Sequence, residues 1–199
     1  MGLKIKLKGL VIEIEYLLII VFLISIVSRK AMNYLFFYYI CLAFAMYHEL
    51  AHIVIANLLG KKARQILISI SGMTAYFKYE YEIKSRIYYI KEFIIFSAGP
   101  LSNLILAYLF NDIKFVFEIN IFLALLNLLP IYPLDGFNIC KSILKIIYEN
   151  NKKVNKIITF VSMLCLIALS LICIVVLYKY NNVSSIIFLL YILVLNIRK

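Results

Sequence analysis

Long apolar stretches alternate with short charged stretches along the chain, and they predict about six membrane-spanning helices. The predicted spans, in chain order, cover residues 15–28, 34–59, 92–110, 115–131, 157–178 and 183–197. Continuous apolar runs of this kind are typical of transmembrane helices rather than of soluble domains. A basic and amphipathic stretch separates the fourth predicted span from the fifth.

Two other segments alternate apolar and polar residues with a period of two, which is typical of β-strands. Residues 3–15 predict a short interfacial strand that leads into the first span. Residues 65–83 predict a β-hairpin at the membrane surface, with its turn at Gly72. The predicted fold class is an all-α polytopic membrane protein with a small membrane-surface sheet, made of the N-terminal strand and the hairpin. Residues 1–199 are expected to form a single integral membrane domain.

The composition also indicates a membrane protein. Of the 199 residues 65% are hydrophobic, and the mean hydropathy is +0.98, which is more apolar surface than a soluble domain of this size can bury. With six spans, 17 of the 21 lysines and arginines fall on one side of the membrane and four on the other. This asymmetry predicts that both termini lie in the cytoplasm. Because the basic residues are scattered over several short loops, nucleic acid is not an expected partner.

The second predicted span contains His48-Glu49-Leu50-Ala51-His52, an H-E-x-x-H motif. Residues four apart share one face of a helix, so His48 and His52 can both reach one metal ion. Glu49 lies one step round the helix, where its carboxylate can hold a water beside the metal. These are the only two histidines of the protein, and ionisable groups within a membrane span are costly and usually functional. The motif therefore predicts the metal site of a zinc hydrolase.

Catalytic zinc takes three protein ligands and leaves one position for water, so a third ligand must come from elsewhere in the chain. Glu80, Glu82 and Glu149 lie in charged loops, which leaves two candidate carboxylates on the predicted side of the membrane that carries the motif. Asp135 follows Pro130 and Pro133, which cannot continue a regular helix, and Gly136 then permits a turn. Glu92, at the start of the third span, is the alternative ligand.

Other residues with metal-binding chemistry are interpreted more simply. Glu13 and Glu15 are surface groups of the N-terminal strand, with a role as zinc ligands as the less favoured alternative. The four cysteines lie in or beside apolar segments without metal-ligand spacing. They are interpreted as small apolar packing residues that form no disulfide framework.

Three motifs, in this order along the chain, resemble the site-2 protease family of intramembrane zinc metalloproteases, peptidase family M50. They are HELAH in the second span, SAGPLSN in the third and NLLPIYPLDG at the end of the fourth. The resemblance implies one zinc ion per chain, bound by His48, His52 and Asp135. It also implies that Glu49 is the general base of a zinc metalloendopeptidase and that Asn127 binds substrate.

Some positions depart from the family pattern without removing a ligand. Ala51 stands where a glycine is frequent, and Phe137 stands where a second glycine commonly follows Asp-Gly. The hairpin has Ser71-Gly72 where a Gly-Gly pair is usual. The short form of the chain resembles the sporulation branch of the family, but we expect neither a CBS domain nor a PDZ domain.

The resemblance implies hydrolysis of a peptide bond in a membrane-associated substrate near the cytoplasmic face of the cell membrane. In the sporulation branch this substrate is a pro-sigma factor, cleaved in the mother-cell membrane around the forespore. Inhibitory membrane proteins and the lipid bilayer are the other expected partners. The alternative is a catalytically inactive zinc-binding scaffold or transporter of the same fold. A transporter would carry ionisable groups in several spans, and an inactive scaffold would not need Glu49.

Overall fold

The computed structural model describes residues 2–7, 10–70, 72–77, 85–148, 150–180, 189–190 and 193–194. Within these ranges the principal elements are four strands and six helices. The strands are β1 (Gly2–Leu7), β2 (Leu10–Glu15), β3 (Ala63–Ser69) and β4 (Gly72–Phe77). The helices are α1 (Tyr16–Val27), α2 (Arg29–Leu58), α3 (Arg86–Leu109), α4 (Lys114–Asn127), α5 (Asp135–Ile147) and α6 (Asn151–Tyr180).

The helices follow the predicted apolar stretches, but the prediction of six spans is not confirmed. Three segments of the described residues are long and apolar enough to cross a membrane: Leu35–Leu58, Arg86–Leu109 and Asn151–Lys179. α1 has 12 residues and α4 has 14. Their lengths of about 18 Å and 21 Å fall short of a hydrocarbon core of about 30 Å. The sixth predicted span, 183–197, lies almost wholly outside the described residues.

The N-terminal segment forms a hairpin of two strands, so the prediction of a single strand over residues 3–15 was wrong. β1 and β2 pair antiparallel, with Leu7 opposite Leu10. The apolar residues that alternate with lysine or glutamate occupy odd positions up to Leu7 and even positions from Ile12 onwards. In one continuous strand the apolar residues of one face would all have odd numbers or all have even numbers. The change from odd to even positions therefore marks the break between two strands.

All four strands belong to one sheet, with the order β1-β2-β3-β4. The predicted hairpin after α2 is confirmed for the described residues, because β3 and β4 pair antiparallel. Its predicted extension over residues 78–83 lies outside the described residues. β2 pairs with β3 in parallel, and this pairing joins the N-terminal hairpin to the second one.

Glu13 and Glu15 connect neighbouring parts of the sheet. The Oε2 atom of Glu13 accepts a hydrogen bond from Gln65 Nε2 at 2.9 Å and lies 3.5 Å from Lys4 Nζ. Glu15 Oε2 accepts a hydrogen bond of 3.3 Å from the backbone N–H of Ile70. Both carboxylates are thus partly buried and hydrogen-bonded, and are not plain surface groups of the strand.

The sheet packs on α2 beside the H-E-x-x-H motif. Ile53 of α2, Ile66 of β3 and Met73 of β4 form a buried cluster. Truncating a buried isoleucine or methionine to alanine typically costs about 2–5 kcal/mol, so this contact stabilises the sheet on the helix. Because Ile53 follows His52 directly, the same contact sets the rotation of the helical turn that carries His52.

The chain divides into two compact units, each made of two segments. The first consists of Met1–Ile83 and Ala98–Ala124, and the second of Lys84–Ser97 and Leu125–Lys199. The first unit contains the sheet, α1 and α2. In the second unit α5 packs on α6.

The backbone of the second unit is irregular between α4 and α5, as the two prolines predict. α4 ends at Asn127 and α5 begins at Asp135. A Cβ atom on Gly136 would overlap the carbonyl groups of Leu128 and Leu129. Glycine is therefore required here, since only the missing side chain lets α5 begin so close to this irregular segment.

Candidate metal centre

Both histidines lie on a buried face of α2, as their four-residue spacing predicts. His48 is 4% exposed and His52 is 8% exposed. Their Nε2 atoms lie 3.2 Å apart, and their rings meet edge to face with centroids 4.9 Å apart. The two imidazoles therefore present one nitrogen each to the same small region.

α3 places Gly99 and Asn103 against these histidines. Gly99 and Asn103 are also four residues apart, so they share one face of their helix. Both are buried, and Asn103 has no exposed surface. This part of the site therefore consists of two residue pairs with the same four-residue spacing: the two histidines on α2, and Gly99 with Asn103 on α3.

Asn103 sets which nitrogen of His48 carries the proton. Its Oδ1 atom lies 3.1 Å from His48 Nδ1. An amide oxygen only accepts hydrogen bonds, so Nδ1 is the donor and Nε2 of the neutral ring keeps its lone pair. The hydroxyl group of Ser102 donates to the Gly99 carbonyl at 2.7 Å, and the same Asn103 oxygen is a longer, secondary acceptor at 3.4 Å. These contacts leave His48 Nε2 ready to act as a metal ligand.

Gly99 lies directly beside both ligand nitrogens. A Cβ atom at this position would overlap the Nε2 atoms of His48 and His52. Any side chain here would displace the imidazoles or fill the space next to them. The missing side chain of Gly99 therefore keeps this space open.

The donor set fits the zinc ion that the motif predicts. Two nitrogens bound to a tetrahedral zinc ion at about 2.0–2.1 Å lie about 3.3 Å apart, which is close to the observed 3.2 Å between the Nε2 atoms. Metal-binding histidines usually donate their other ring N–H to an oxygen acceptor. The contact between His48 and Asn103 has this form.

The third predicted ligand, Asp135, is partly buried at the first position of α5, in the second compact unit. Glu92, the alternative ligand, lines a cavity of the same unit with residues of α5 and α6. The assignment of Asp135 as the third ligand stays a prediction.

Glu49 and Asn127 are the remaining residues that the sequence predicts for the site. Glu49 is partly buried on α2, directly after His48, and Asn127 is the partly buried last residue of α4. Their roles as general base and as substrate-binding residue stay predictions.

All four cysteines carry free thiols, as the sequence interpretation of no disulfide framework expects. Burial raises the pKa of the Cys140 thiol, and the nearby Cys165 thiol raises it further. Since the thiolate is the form that binds metals, a raised pKa makes Cys140 a poor ligand.

Comparison with known proteins gives a partial family similarity and a fold. The model of peptidase family M50 matches residues 109–169, which include Asn127 and Asp135. No curated protein sequence matches the chain. Among solved structures, the chain is similar to "Site-2 Protease from Methanocaldococcus jannaschii", with a TM-score of 0.58 and 23% sequence identity, over 100% of this chain and 94% of that chain. The fold is that of a site-2 protease, and the similarity to peptidase family M50 that the motifs indicate is confirmed.

Sequence reasoning assigned no role at the metal site to Gly99 and Asn103. Both lie in the SAGPLSN motif, which had suggested only a family resemblance. Their four-residue spacing, equal to that of His48 and His52, is the signal that could have identified them as facing residues.

Proposed function

We propose that the protein is an intramembrane zinc metalloprotease that hydrolyses a peptide bond of a membrane-associated protein. The observation that carries this proposal is the pair of Nε2 atoms of His48 and His52, 3.2 Å apart and adjacent in sequence to Glu49. Together with Asp135 they hold one zinc ion per chain. Asn103 and Gly99 support the pair, the first by orienting His48 and the second by leaving space beside the nitrogens.

Glu49 moves the proton in the proposed reaction. A bound zinc ion acts as a Lewis acid that makes water a nucleophile near neutral pH. Glu49 takes a proton from the attacking water as general base and later delivers it to the leaving amine as general acid. The water oxygen joins the carbonyl carbon, the peptide C–N bond breaks, and the amine leaves with the proton.

The substrate must be extended before it is cleaved, because a helical peptide bond is shielded by its own turn. β4 lies at the edge of the described sheet, and an edge strand can pair with an extended peptide through backbone hydrogen bonds. Asn127 and the irregular segment before Asp135 are the second proposed contact with the substrate.

The protein acts in the cell membrane as a multi-pass protein in this proposal. The three long apolar helices and the match to peptidase family M50 support this location. The distribution of lysine and arginine along the sequence favours cytoplasmic termini, with cleavage near the cytoplasmic face.

The finer part of the proposal concerns the substrate and rests on the motif resemblance alone. The chain resembles stage IV sporulation protein FB, and a pro-sigma factor is therefore the first candidate substrate. In this case the enzyme works in the mother-cell membrane around the forespore, and inhibitory membrane proteins control it.

Co-expression with tethered substrates tests the function. A pro-sigma factor and several unrelated membrane-tethered proteins are expressed with the wild type or with a His48→Ala, His52→Ala variant, and fragments are mapped by mass spectrometry. We expect a cut next to or within an apolar segment, made by the wild type alone. Identical fragments from both proteins would contradict proteolysis at this site, and wild-type cleavage of other substrates only would remove the sporulation proposal.

A further inference from the structure

A second site lies within the second compact unit, where α5 presents a polar face to a cavity of about 300 Å³. Asn138, Lys141, Ser142 and Lys145 line it from α5. These positions follow the i, i+3, i+4, i+7 spacing of a single helical face. Ser142 is 5% exposed, and both lysines are partly buried. The polar face of this amphipathic helix is therefore directed into a cavity and not only towards solvent.

The other walls of the cavity add further polar groups. α6 contributes Asn151 and Asn155, which are four residues apart and share one face. α3 contributes Glu92 and two tyrosines, Tyr88 and Tyr89. The lining therefore carries many hydrogen-bond donors (ammonium, amide and hydroxyl groups), together with one carboxylate.

The formal charges of the lining leave one net positive charge. Lys141 and Lys145 carry two positive charges, and Glu92 carries one negative charge. Lysine binds phosphate as a compact positive charge, and the several oxygens of a phosphate group can accept hydrogen bonds from many donors at once. The phosphodiester of a phospholipid carries a single negative charge, whereas a phosphate monoester carries about −1.5 to −2. The net charge of the cavity thus matches the phosphodiester.

Several lining residues of the cavity belong to the first turns of α3 and α6, two of the apolar helices that are long enough to cross a membrane. Tyr88 and Tyr89 lie in the first turn of the apolar helix that starts at Arg86. Asn151 and Asn155 lie in the first turns of the helix that starts at Asn151. Tyrosine is enriched at the membrane–water interface, and basic cavities between membrane helices bind lipid headgroups. Both features place the cavity at headgroup depth.

We propose that this cavity binds a phosphate group, and that the headgroup of a phospholipid supplies it. Lys141 and Lys145 bind the phosphate oxygens, and the asparagines of α5 and α6 donate further hydrogen bonds. The cavity volume of about 300 Å³ is at the lower limit for a small-molecule site, which suits a headgroup whose acyl chains remain in the bilayer. This site is independent of the proposed protease function.

Native mass spectrometry of the purified full-length protein tests the site. The protein in detergent is titrated with phosphatidylglycerol, or with a galactosyl diacylglycerol that has two acyl chains and no phosphate. The test variant is Lys141→Gln, Lys145→Gln. The matched control is Lys152→Gln, Lys153→Gln, which removes the same charge from two exposed lysines in the first turn of α6 that do not line the cavity. Asn138→Asp, which adds a negative charge with little change of volume, is the second test variant.

We expect phosphatidylglycerol to bind the wild type and the control equally and each test variant at least about tenfold more weakly. The galactolipid should bind all four proteins weakly. Competition by millimolar inorganic phosphate would identify free phosphate as the source, and its absence would identify the lipid. Equal phosphatidylglycerol affinity for the control and both test variants, or equal affinity of the wild type for the two lipids, would overturn the proposal.

Discussion

Asn103 Oδ1 accepts a hydrogen bond of 3.1 Å from His48 Nδ1, which joins α3 to α2 through two residues that are 55 positions apart in the chain. The contact fixes the imidazole tautomer and directs the other nitrogen of His48 towards His52. A metal site built on the H-E-x-x-H motif therefore depends on Asn103, a residue of another helix. The effect of Asn103 on zinc affinity can be measured separately from its effect on the stability of the fold.

Asn103→Ala should weaken zinc binding by about 10–100-fold, because His48 loses the acceptor that orients its ring. Asn103→Asp should retain most of the affinity, since a carboxylate oxygen also accepts the Nδ1 hydrogen bond. Competition with a fluorescent zinc chelator measures the affinity of each purified variant.

The matched control for this experiment is Asn120→Ala. Asn120 is likewise fully buried, but its Nδ2 donates within its own helix to the Val116 carbonyl at 2.9 Å. This variant should lose stability without losing zinc affinity. If Asn120→Ala and Asn103→Ala weakened zinc binding equally, the effect would be general destabilisation and not ligand orientation.

Gly99→Ala should abolish zinc binding although alanine favours helix. In a helix interior alanine is ordinarily more stable than glycine by about 1 kcal/mol, but here the added methyl group overlaps both Nε2 atoms. Ala98→Gly on the same turn is the control, and it should lower the melting temperature while zinc remains bound. A Gly99→Ala protein with a full equivalent of zinc would contradict the proposed position of the metal.

Asp135→Asn should reduce zinc affinity strongly, because a neutral amide replaces the charged oxygen of the proposed third ligand. Glu92→Gln should leave zinc affinity unchanged, since Glu92 lines the cavity between α3, α5 and α6. Zinc-to-protein ratios after dialysis against a weak chelator compare the two variants. The reverse order of zinc loss would make Glu92 the third ligand.

Proline substitutions in β4 test its role as the edge that receives substrate. Successive N–H groups of a strand point to opposite sides, so one of Thr74→Pro and Ala75→Pro removes a donor at the open edge and the other removes a donor to β3. The variant that keeps wild-type thermal stability should bind zinc normally and cleave a tethered substrate about tenfold more slowly, a rate loss equivalent to about one hydrogen bond. Wild-type cleavage by this stable variant would exclude the edge from substrate binding.

The features that follow from local sequence were predicted well. The four-residue spacing of His48 and His52 requires only a helix, and the structure places both on one buried face. The prolines at 130 and 133 forbid a regular helix, and α4 ends before them, at Asn127. In each case the physical cause lies within a few neighbouring residues.

The features that depend on distant parts of the chain were missed. The parallel pairing of β2 with β3 joins segments separated by α1 and α2, and no local pattern specifies that partner. The contact between Asn103 and His48 likewise depends on how two helices pack. The six predicted spans are not confirmed by the described residues, because hydropathy shows that α1 and α4 are apolar but not where each helix ends.

The central claim, that the histidines hold a metal with Glu49 as the proton carrier, is tested most directly by one pair of proteins. Wild type and Glu49→Gln are purified at full length, and bound zinc and cleavage of a membrane-tethered substrate are measured on the same samples. We expect one equivalent of zinc in both, with cleavage reduced to background in Glu49→Gln because the proton acceptor is lost. Cleavage at the wild-type rate by Glu49→Gln, or the absence of zinc from both proteins, would contradict the account.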